Sequence, residues 1–475
     1  MSAKILLINS NQETSPSPVL PIGMAYVASS LAHNNFDVCS ADLCFKKSWR
    51  KYLQRKIKHF KPDFLGISIR NIDNNDQVKT KFYLENVKNI IDFCRSETSA
   101  GIFCGGAAMA VMPVKIIQYV GADFGIFGDG EDVTPKFLSS WIQGTPDLSL
   151  PGIVYKEDGK VKSNAAKPIE NLEAPFTSEI GRWLDMVPYF KHEAAYPIQA
   201  KRGCQFDCIY CTYARCEGKR YRFRCSKAIV DEILAVNKKY RPKTFEFVDS
   251  IFNHPTGFAE DICRELINAK SKANLNTIEL NPKFLTTELI DLMEKAGFTS
   301  CGITCESASD KMLQSLKKSY NSKDVISAAR RLKNSRMKKI WIFLLGGPGE
   351  NEETVKETLD FVKNELGNND VVYFNIGIRI YPGTDIETIA LEENVIDQNT
   401  DLLYPTFYFS SLITRETIEQ MITNANCNKI VTIKDLQIPG LNVLLRLINM
   451  LHLKGPYWSY APILNKIRSF LTWQK

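Results

Sequence analysis

From Lys4 to Phe127, short apolar runs alternate with longer amphipathic stretches. Lys4-Ile5-Leu6-Leu7-Ile8 is the first such run, and its unbroken apolar character suits a strand covered on both faces. A Ser/Pro-rich loop follows from Thr14 to Pro18. Pro21 is then placed to open a helix that Ala25, Tyr26, Ser29 and Leu31 continue. The alternation goes on to predict strands at Phe36–Ala41, Phe64–Ile69, Gly101–Cys104 and Asp123–Phe127. Helices are predicted between them at Lys47–Phe60, Val87–Arg95 and Val114–Tyr119. Strands and helices taking turns at this spacing predict an α/β fold, a doubly wound Rossmann-like parallel sheet over residues 1–150.

Ligands of such sheets sit beyond the carboxyl ends of the strands. Those ends carry Asn9-Ser10-Asn11, Ser68-Ile69-Arg70, Gly105-Gly106 and Gly128-Asp129-Gly130-Glu131. Glycines there either make tight turns or let a bulky planar or phosphate-bearing ligand approach the backbone. No G-x-G-x-x-G follows the first strand, which argues against a simple nicotinamide domain. Residues 46–61 hold eight Lys/Arg and no acid. Because Trp49, Tyr52, Leu53, Ile57 and Phe60 fall at helical spacing, an amphipathic helix with a solvated basic face is expected. The competing reading of that helix is contact with nucleic acid or a membrane.

Length adds a constraint: 475 residues exceed one compact core, so two or three domains are expected. At 44% hydrophobic and 24% charged the chain can build ordinary cores. Its net charge of +7 is too mild to signal bulk nucleic-acid binding. The N-terminus reads as a strand and not as a signal peptide, and no run approaches the ~20 apolar residues of a membrane span. A cytoplasmic protein with reduced thiols is expected. Thirteen cysteines, an odd number with one tight cluster, then suggest metal or redox chemistry and not a disulfide framework.

That cluster lies in KRGCQFDCIYCTYARCEGKRYRFRC, residues 201–225. Cys204, Cys208 and Cys211 are spaced C-x-x-x-C-x-x-C on the loop leaving a strand predicted at Ala195–Lys201. Three thiolates can hold three irons of a [4Fe–4S] cube and leave the fourth iron open. An open iron can chelate the amino and carboxylate groups of S-adenosylmethionine (SAM). The rival is a zinc site with Cys216 or Cys225 as fourth ligand, although zinc usually takes two separated pairs.

The triplet with Tyr210 before its last cysteine resembles the signature of the radical SAM superfamily, and pieces after it agree in order. Phe245–Asp249 reads as a strand ending in an acid. Gly302–Ser307, Trp341–Leu345 with Gly346-Gly347-Pro348-Gly349-Glu350, and Asn375–Ile380 with Tyr381-Pro382-Gly383-Thr384 read as further strands and turns. The resemblance implies a partial (β/α)6 TIM-type barrel over 195–400, reached through a linker at 151–194. It also implies SAM contacts at Tyr210, Asp249, Glu306 and Ser307. Arg222 would hold the methionine carboxylate or pin the loop to Asp231/Glu232, upstream of a helix at Ile229–Val236. Cys216 and Cys225 are expected to be incidental.

A doubly wound domain before such a barrel resembles the cobalamin-binding class of these enzymes. Asn11, Ser68, Arg70, Gly105, Gly106, Gly128 and Glu131 are then the expected cobalamin contacts. The first-strand loop lacks the D-x-H-x-x-G histidine, so the cobalt is expected without a protein histidine; a decayed, scaffold-only domain is the alternative. Residues 401–475 are expected to form a helical cap. In it Tyr404–Phe409 would cover the barrel mouth, a helix would run from Thr414 to Ala425, and an apolar helix would start at Leu441. Trp458, Tyr460, Phe470 and Trp473 make contact with a membrane surface the alternative. The implied activity is methyl transfer from methylcobalamin and SAM to an unactivated carbon, or phosphorus, of a small-molecule, lipid or peptide substrate. A flavodoxin- or ferredoxin-type electron donor would serve a monomeric enzyme, with no nucleic acid involved. The alternatives are a cobalamin-assisted radical cyclisation or rearrangement and, from another class, a non-catalytic RNA- or partner-binding module.

Overall fold

The computed structural model describes residues 2–15, 17–172, 180–425, 427, 430–431 and 457–460. Strands β1 (Lys4–Asn9), β2 (Asp37–Asp42), β3 (Phe64–Ser68), β4 (Gly101–Gly105) and β5 (Phe124–Ile126) form a parallel sheet in the order β2-β1-β3-β4-β5. Helices α1 (Ile22–His33), α2 (Trp49–Phe60), α3 (Leu84–Glu97), α4 (Pro113–Val120) and α5 (Gly130–Ile142) cover its two faces. The unbroken apolar run of β1 is explained by this. Ile5 and Leu7 share a core with α1 and α5, while Leu6 and Ile8 share one with α2, α3 and α4. Each such side chain contributes about 1.5–3 kcal/mol on burial, so a polar residue at any of these positions would be costly. In α2, Trp49, Leu53 and Ile57 are buried as an i, i+4, i+8 stripe, and its lysines and arginines occupy the opposite face.

The expected linker is partly sheet. Strands β6 (Ile153–Glu157) and β7 (Lys160–Ser163) extend the first sheet in antiparallel fashion beyond β5, so the domain does not end at residue 150. Asp158 and Gly159 both have positive φ (50° and 75°), the geometry of a two-residue hairpin turn. Two short helices follow, α6 (Ile180–Trp183) and α7 (Met186–Lys191). Trp183 Nε1 donates to Ser29 Oγ at 2.8 Å. Ile180, Trp183, Leu184, Met186 and Tyr189 join a hydrophobic core that continues from the first domain into the second.

In the second domain β8 (Tyr196–Ile198) leads to β9 (Lys201–Arg202), α8 (Tyr213–Glu217), β10 (Arg222–Phe223) and α9 (Ser226–Tyr240). Then come β11 (Phe245–Phe247), α10 (Thr256–Asn268), β12 (Leu275–Leu280), α11 (Thr287–Ala296) and β13 (Phe298–Glu306). Helices α12 (Asp310–Ser315) and α13 (Ser322–Leu332) precede β14 (Lys338–Leu345), α14 (Glu352–Asn364) and β15 (Val371–Ile376). Strands β8, β11, β12, β13, β14 and β15 are neighbours in that order and parallel, which gives the six-stranded partial barrel expected. The predicted strand Asn375–Ile380 breaks at Gly377 (φ 88°). Beyond the break, β16 (Ile378–Arg379) precedes α15 (Asp385–Glu392) and pairs with β17 (Phe407–Tyr408). Helix α16 (Arg415–Asn424) is capped by the Thr414 side chain, and the short β18 (Ile430–Val431) adds to the β15 edge.

Tyr404 belongs to the domain interface, where its ring meets Phe82 at 5.1 Å and Tyr119 at 6.3 Å between centroids. The apolar helix predicted from Leu441, and Phe470 and Trp473, lie outside the described residues. Among the described residues no helix is long and apolar enough to cross a membrane.

Candidate active site

In the order β2-β1-β3 the sheet changes its winding direction between β1 and β3, the place where open α/β sheets take ligands. A cavity of about 590 Å³ opens there, and Asn11, Ser68, Arg70, Gly105, Gly106, Gly128 and Glu131 all line it. No histidine is among its lining residues. Burial holds the Arg70 guanidinium below its usual range, against the pull of Tyr213, Tyr83 and Glu246. The two adjacent glycines serve different ends. Gly106 has φ 104°, and a Cβ there would lie 2.5 Å from Ile69 O, whereas a Cβ on Gly105 would meet nothing closer than Ile126 O at 3.6 Å. The opposite wall comes from the second domain: Thr212, Tyr213, Cys216 and Glu217, just after the third cysteine, with Pro197 and Gln199 at the end of β8.

The cysteine loop is closed at its neck by antiparallel pairing of β9 with β10. Cys204 N–H donates to Gly218 O and Cys211 N–H to Cys208 O, while Ser250 Oγ donates to Gly203 O at 2.7 Å. Burial raises the Cys204 thiol and pushes Cys211 up to about 12, and the Cys208 charge acts on both in the same direction. Cys204 and Cys211, both desolvated on one loop, would ionise against an electropositive iron core. Among the described residues no three His, Cys, Asp or Glu side chains converge as ligands of one ion. Cys225 is exposed at the start of α9, and Cys216 lines the cavity.

Next to the loop lies a buried polar triad. Tyr210 OH donates to Glu306 Oε1 at 2.5 Å, and Lys318 Nζ reaches Tyr210 OH at 3.2 Å and Glu306 Oε1 at 3.3 Å. Glu306 ends β13 in the left-handed region (φ 59°), a conformation that turns its carboxylate off the strand at a cost of about 1–3 kcal/mol. Burial and Glu306 hold the Tyr210 hydroxyl protonated well above its ordinary range, with Lys318 opposing. Tyr210 and Glu306 were expected together from sequence; Lys318 was not, and no motif marks it.

Four expected contacts are placed otherwise. Asp249 is sealed under the loop, where Oδ1 accepts from the N–H groups of Ala200 (2.7 Å) and Lys201 (3.0 Å) and Lys201 Nζ lies 3.5 Å from Oδ2. Its carboxylate fixes the β8–β9 turn. Ser307 is fully buried against Thr358 Oγ1 at 3.1 Å. Arg222 pairs with Asp129 at 2.5 Å, and the predicted pin to Glu232 is made by Arg224 at 2.7 Å. Glu131 borders the cavity, but its carboxylate is held by Arg202 at 2.5 Å. Asp249, Arg222 and Glu131 each meet a buried opposite charge of the protein's own, and Ser307 meets a buried hydroxyl, pairings that a family resemblance cannot reveal.

The sequence reading also passed over the acids of the barrel wall. Glu246 on β11 accepts from Asn276 Nδ2 at 2.7 Å, and burial raises its pKa. Glu279 on β12 is pushed up to about 8 by burial and by Glu306, with Lys318 opposing. Glu279 also raises Tyr213, so these acids run from the Glu306 triad to the cavity wall. Strand β12 has no turn signature or cysteine to draw attention to it.

Comparison with known proteins agrees with this geometry. The Radical SAM superfamily description matches residues 198–362, and the B12 binding domain description matches residues 11–138. An uncharacterized methyltransferase of Pyrococcus horikoshii is 25% identical over 415 residues, covering 83% of this chain and 84% of that protein. The tryptophan 2-C-methyltransferase of Streptomyces laurentii is 22% identical over 440 residues, covering 80% and 73%. In fold, the chain is similar to the radical SAM methyltransferase TsrM of Kitasatospora setae, solved with cobalamin and a [4Fe–4S] cluster. The TM-score is 0.85 at 20% identity, with 100% of both chains covered. The cobalamin-dependent SAM radical enzyme OxsB matches with a TM-score of 0.74 at 15% identity over 99% of this chain and 72% of that one. The chain is a radical SAM enzyme whose N-terminal domain is of the B12-binding type.

Proposed function

We propose that this chain transfers a methyl group from SAM, by way of cobalamin, to an unactivated carbon of a small molecule. One observation carries the reading: a single cavity is walled on one side by the strand ends of the first domain and on the other by the residues that follow Cys211. Cys204, Cys208 and Cys211 would hold the cluster; Tyr210, Glu306 and Lys318 are the polar groups next to it. Ser68, Arg70, Gly105, Gly106 and Gly128 would hold the corrin. When bound, cobalamin supplies a carrier that accepts a methyl group from SAM and gives it to a carbon. The protein's share is to place that carrier beside the cluster loop and to exclude water. Glu246 and Glu279, barrel-wall acids whose pKa burial raises, can hold or accept a proton from the acceptor. A low-potential donor of the flavodoxin or ferredoxin kind would supply electrons.

The test is anaerobic reconstitution with iron, sulfide and hydroxocobalamin, then incubation with SAM, reductant and a panel of small molecules. Tryptophan, the substrate named for one relative, is the first to try. S-adenosylhomocysteine together with a methylated product is expected; 5′-deoxyadenosine without it would point to a rearrangement. Replacing Cys204, Cys208 and Cys211 by Ala should abolish iron binding and turnover, while Cys216→Ser and Cys225→Ser keep the iron. Recovery of zinc in place of iron would overturn the cluster reading.

A further inference from the structure

Two arginines bracket the neck of the cysteine loop. Arg202, on β9, stands directly opposite Arg222, on β10, and both are buried. Both end on acids of the first domain. Arg202 Nη1 donates to Asp129 Oδ1 and to Glu131 Oε1 at 2.5 Å each, and Arg222 Nη1 donates to Asp129 Oδ2 at 2.5 Å. A single carboxylate, at the end of the first-domain strand β5, thus holds both sides of the loop from which three cysteines project.

Glu217 completes the circuit. Its side chain lines the cavity, its Oε2 accepts from Gly203 N–H at 3.0 Å, and its carbonyl accepts from Arg222 Nη2 at 2.6 Å. Gly203 joins Arg202 to Cys204, and its φ of 100° leaves no room for a Cβ, which would lie 2.3 Å from Arg220 O. Asp129 lines the same cavity. Groups that border the cavity are therefore the groups that hold the root of the loop. Within the knot, Asp129 and Glu131 offset the charges of Arg202 and Arg222. Removing one partner from such a knot strands a buried charge, so moving the loop apart from the first domain is costly.

We propose that Asp129 is a positioning residue that couples the cavity to the cysteine loop: cobalamin in the cavity and the cluster on the loop are set in place together through Asp129, Arg202 and Arg222. The proposal rests on the cofactor reading above. Coupling of this kind is reciprocal, so ligand in the cavity must tighten the loop as the loop tightens the cavity.

The test uses the full chain, free of iron, with and without hydroxocobalamin, and reads amide hydrogen exchange over residues 203–217. In the wild type, exchange there should slow at least ~5-fold on binding, the lower end of ordinary coupling. In Asp129→Asn, hydroxocobalamin should still bind, but the slowing should fall below ~2-fold, within what uncoupled sites show. With both cofactors loaded, the spin–spin interaction between cob(II)alamin and the reduced cluster should be sharp in the wild type and broadened in the variant at equal cofactor content. If Asp129→Asn gives no cooperative melt, Glu131→Gln replaces it, because Asp129 then still holds both arginines; a smaller change in the same direction is expected. A wild-type chain that does not bind cobalamin would overturn the cofactor reading and this proposal with it. Binding without protection of 203–217, or with equal protection in the variants, would overturn this proposal alone.

Discussion

Glu350 closes the Gly346-Gly347-Pro348-Gly349 turn with its carboxylate fully shut away from water. Its Oε2 accepts from Gly346 N–H at 2.7 Å and Gly347 N–H at 3.3 Å. Burial outweighs those hydrogen bonds and raises its pKa from 4.5 to about 7. The folded chain therefore binds this proton more tightly than the unfolded chain does. The stability it contributes is greatest below pH 4.5 and is lost as pH rises through 7. Glu350→Gln removes the titration but keeps an oxygen for Gly346. The stability of the variant relative to wild type should thus grow between pH 4.5 and above 7, by on the order of 3 kcal/mol. Urea denaturation at pH 5 and pH 8 reads the difference; a gap that does not change with pH would contradict the assignment. The sequence placed Glu350 after a strand but could not show that its charge is enclosed.

Among the elements, the ends of β3, β4 and β5 carry the cavity, and the paired glycines after β4 divide the work. Gly106 is required by its own backbone: at φ 104°, with Ile69 O 2.5 Å from a Cβ, Gly106→Ala should lower stability by at least about 1–3 kcal/mol from strain alone. A lower melting temperature with or without ligand would show it. Gly105 has room for a Cβ, so Gly105→Leu should fold, lose hydroxocobalamin binding by absorbance, and keep its iron. Loss of both cofactors, or retention of both, would remove Gly105 from the cavity wall. The β6–β7 hairpin at the far edge of the same sheet was legible and went unread: Asp158-Gly159 between Ile153–Glu157 and Lys160–Ser163 is a strong hairpin signal.

At the scale of the molecule, the two domains are locked by more than the arginine knot. The segment after β3 crosses to the barrel, where Arg379 Nε donates to Asp73 Oδ2 at 2.9 Å and Tyr381 OH donates to Asn75 Oδ1 at 2.8 Å. Arg415 Nη2 donates to Gln77 Oε1 at 2.8 Å. Asp73 and Arg379 are 1% and 5% exposed, so Asp73→Ala leaves a buried guanidinium without its counterion. That should cost about 3–5 kcal/mol, read by chemical denaturation. A loss below ~1 kcal/mol, the range of an exposed pair, would mean that the interface opens to water.

The alternation of strands and helices in the first domain and the three cysteines follow from local chemistry: apolar runs that must be covered, turn residues that must bend, and thiols spaced along one loop; the six-stranded partial barrel followed from the family resemblance. The strand-end glycines and Arg70 were legible for the same reason, since an α/β sheet offers its ligands one edge. What sequence could not decide was which charges meet. Asp129 and Arg222 are far apart in the chain, as are Asp73 and Arg379 or Tyr210, Glu306 and Lys318. The resemblance implied ligand contacts for Asp249, Arg222, Ser307 and Glu131, and folding gave each a partner of its own within the protein. A buried charge or hydroxyl is costly until it is paired, and only the tertiary structure determines which partner comes within reach.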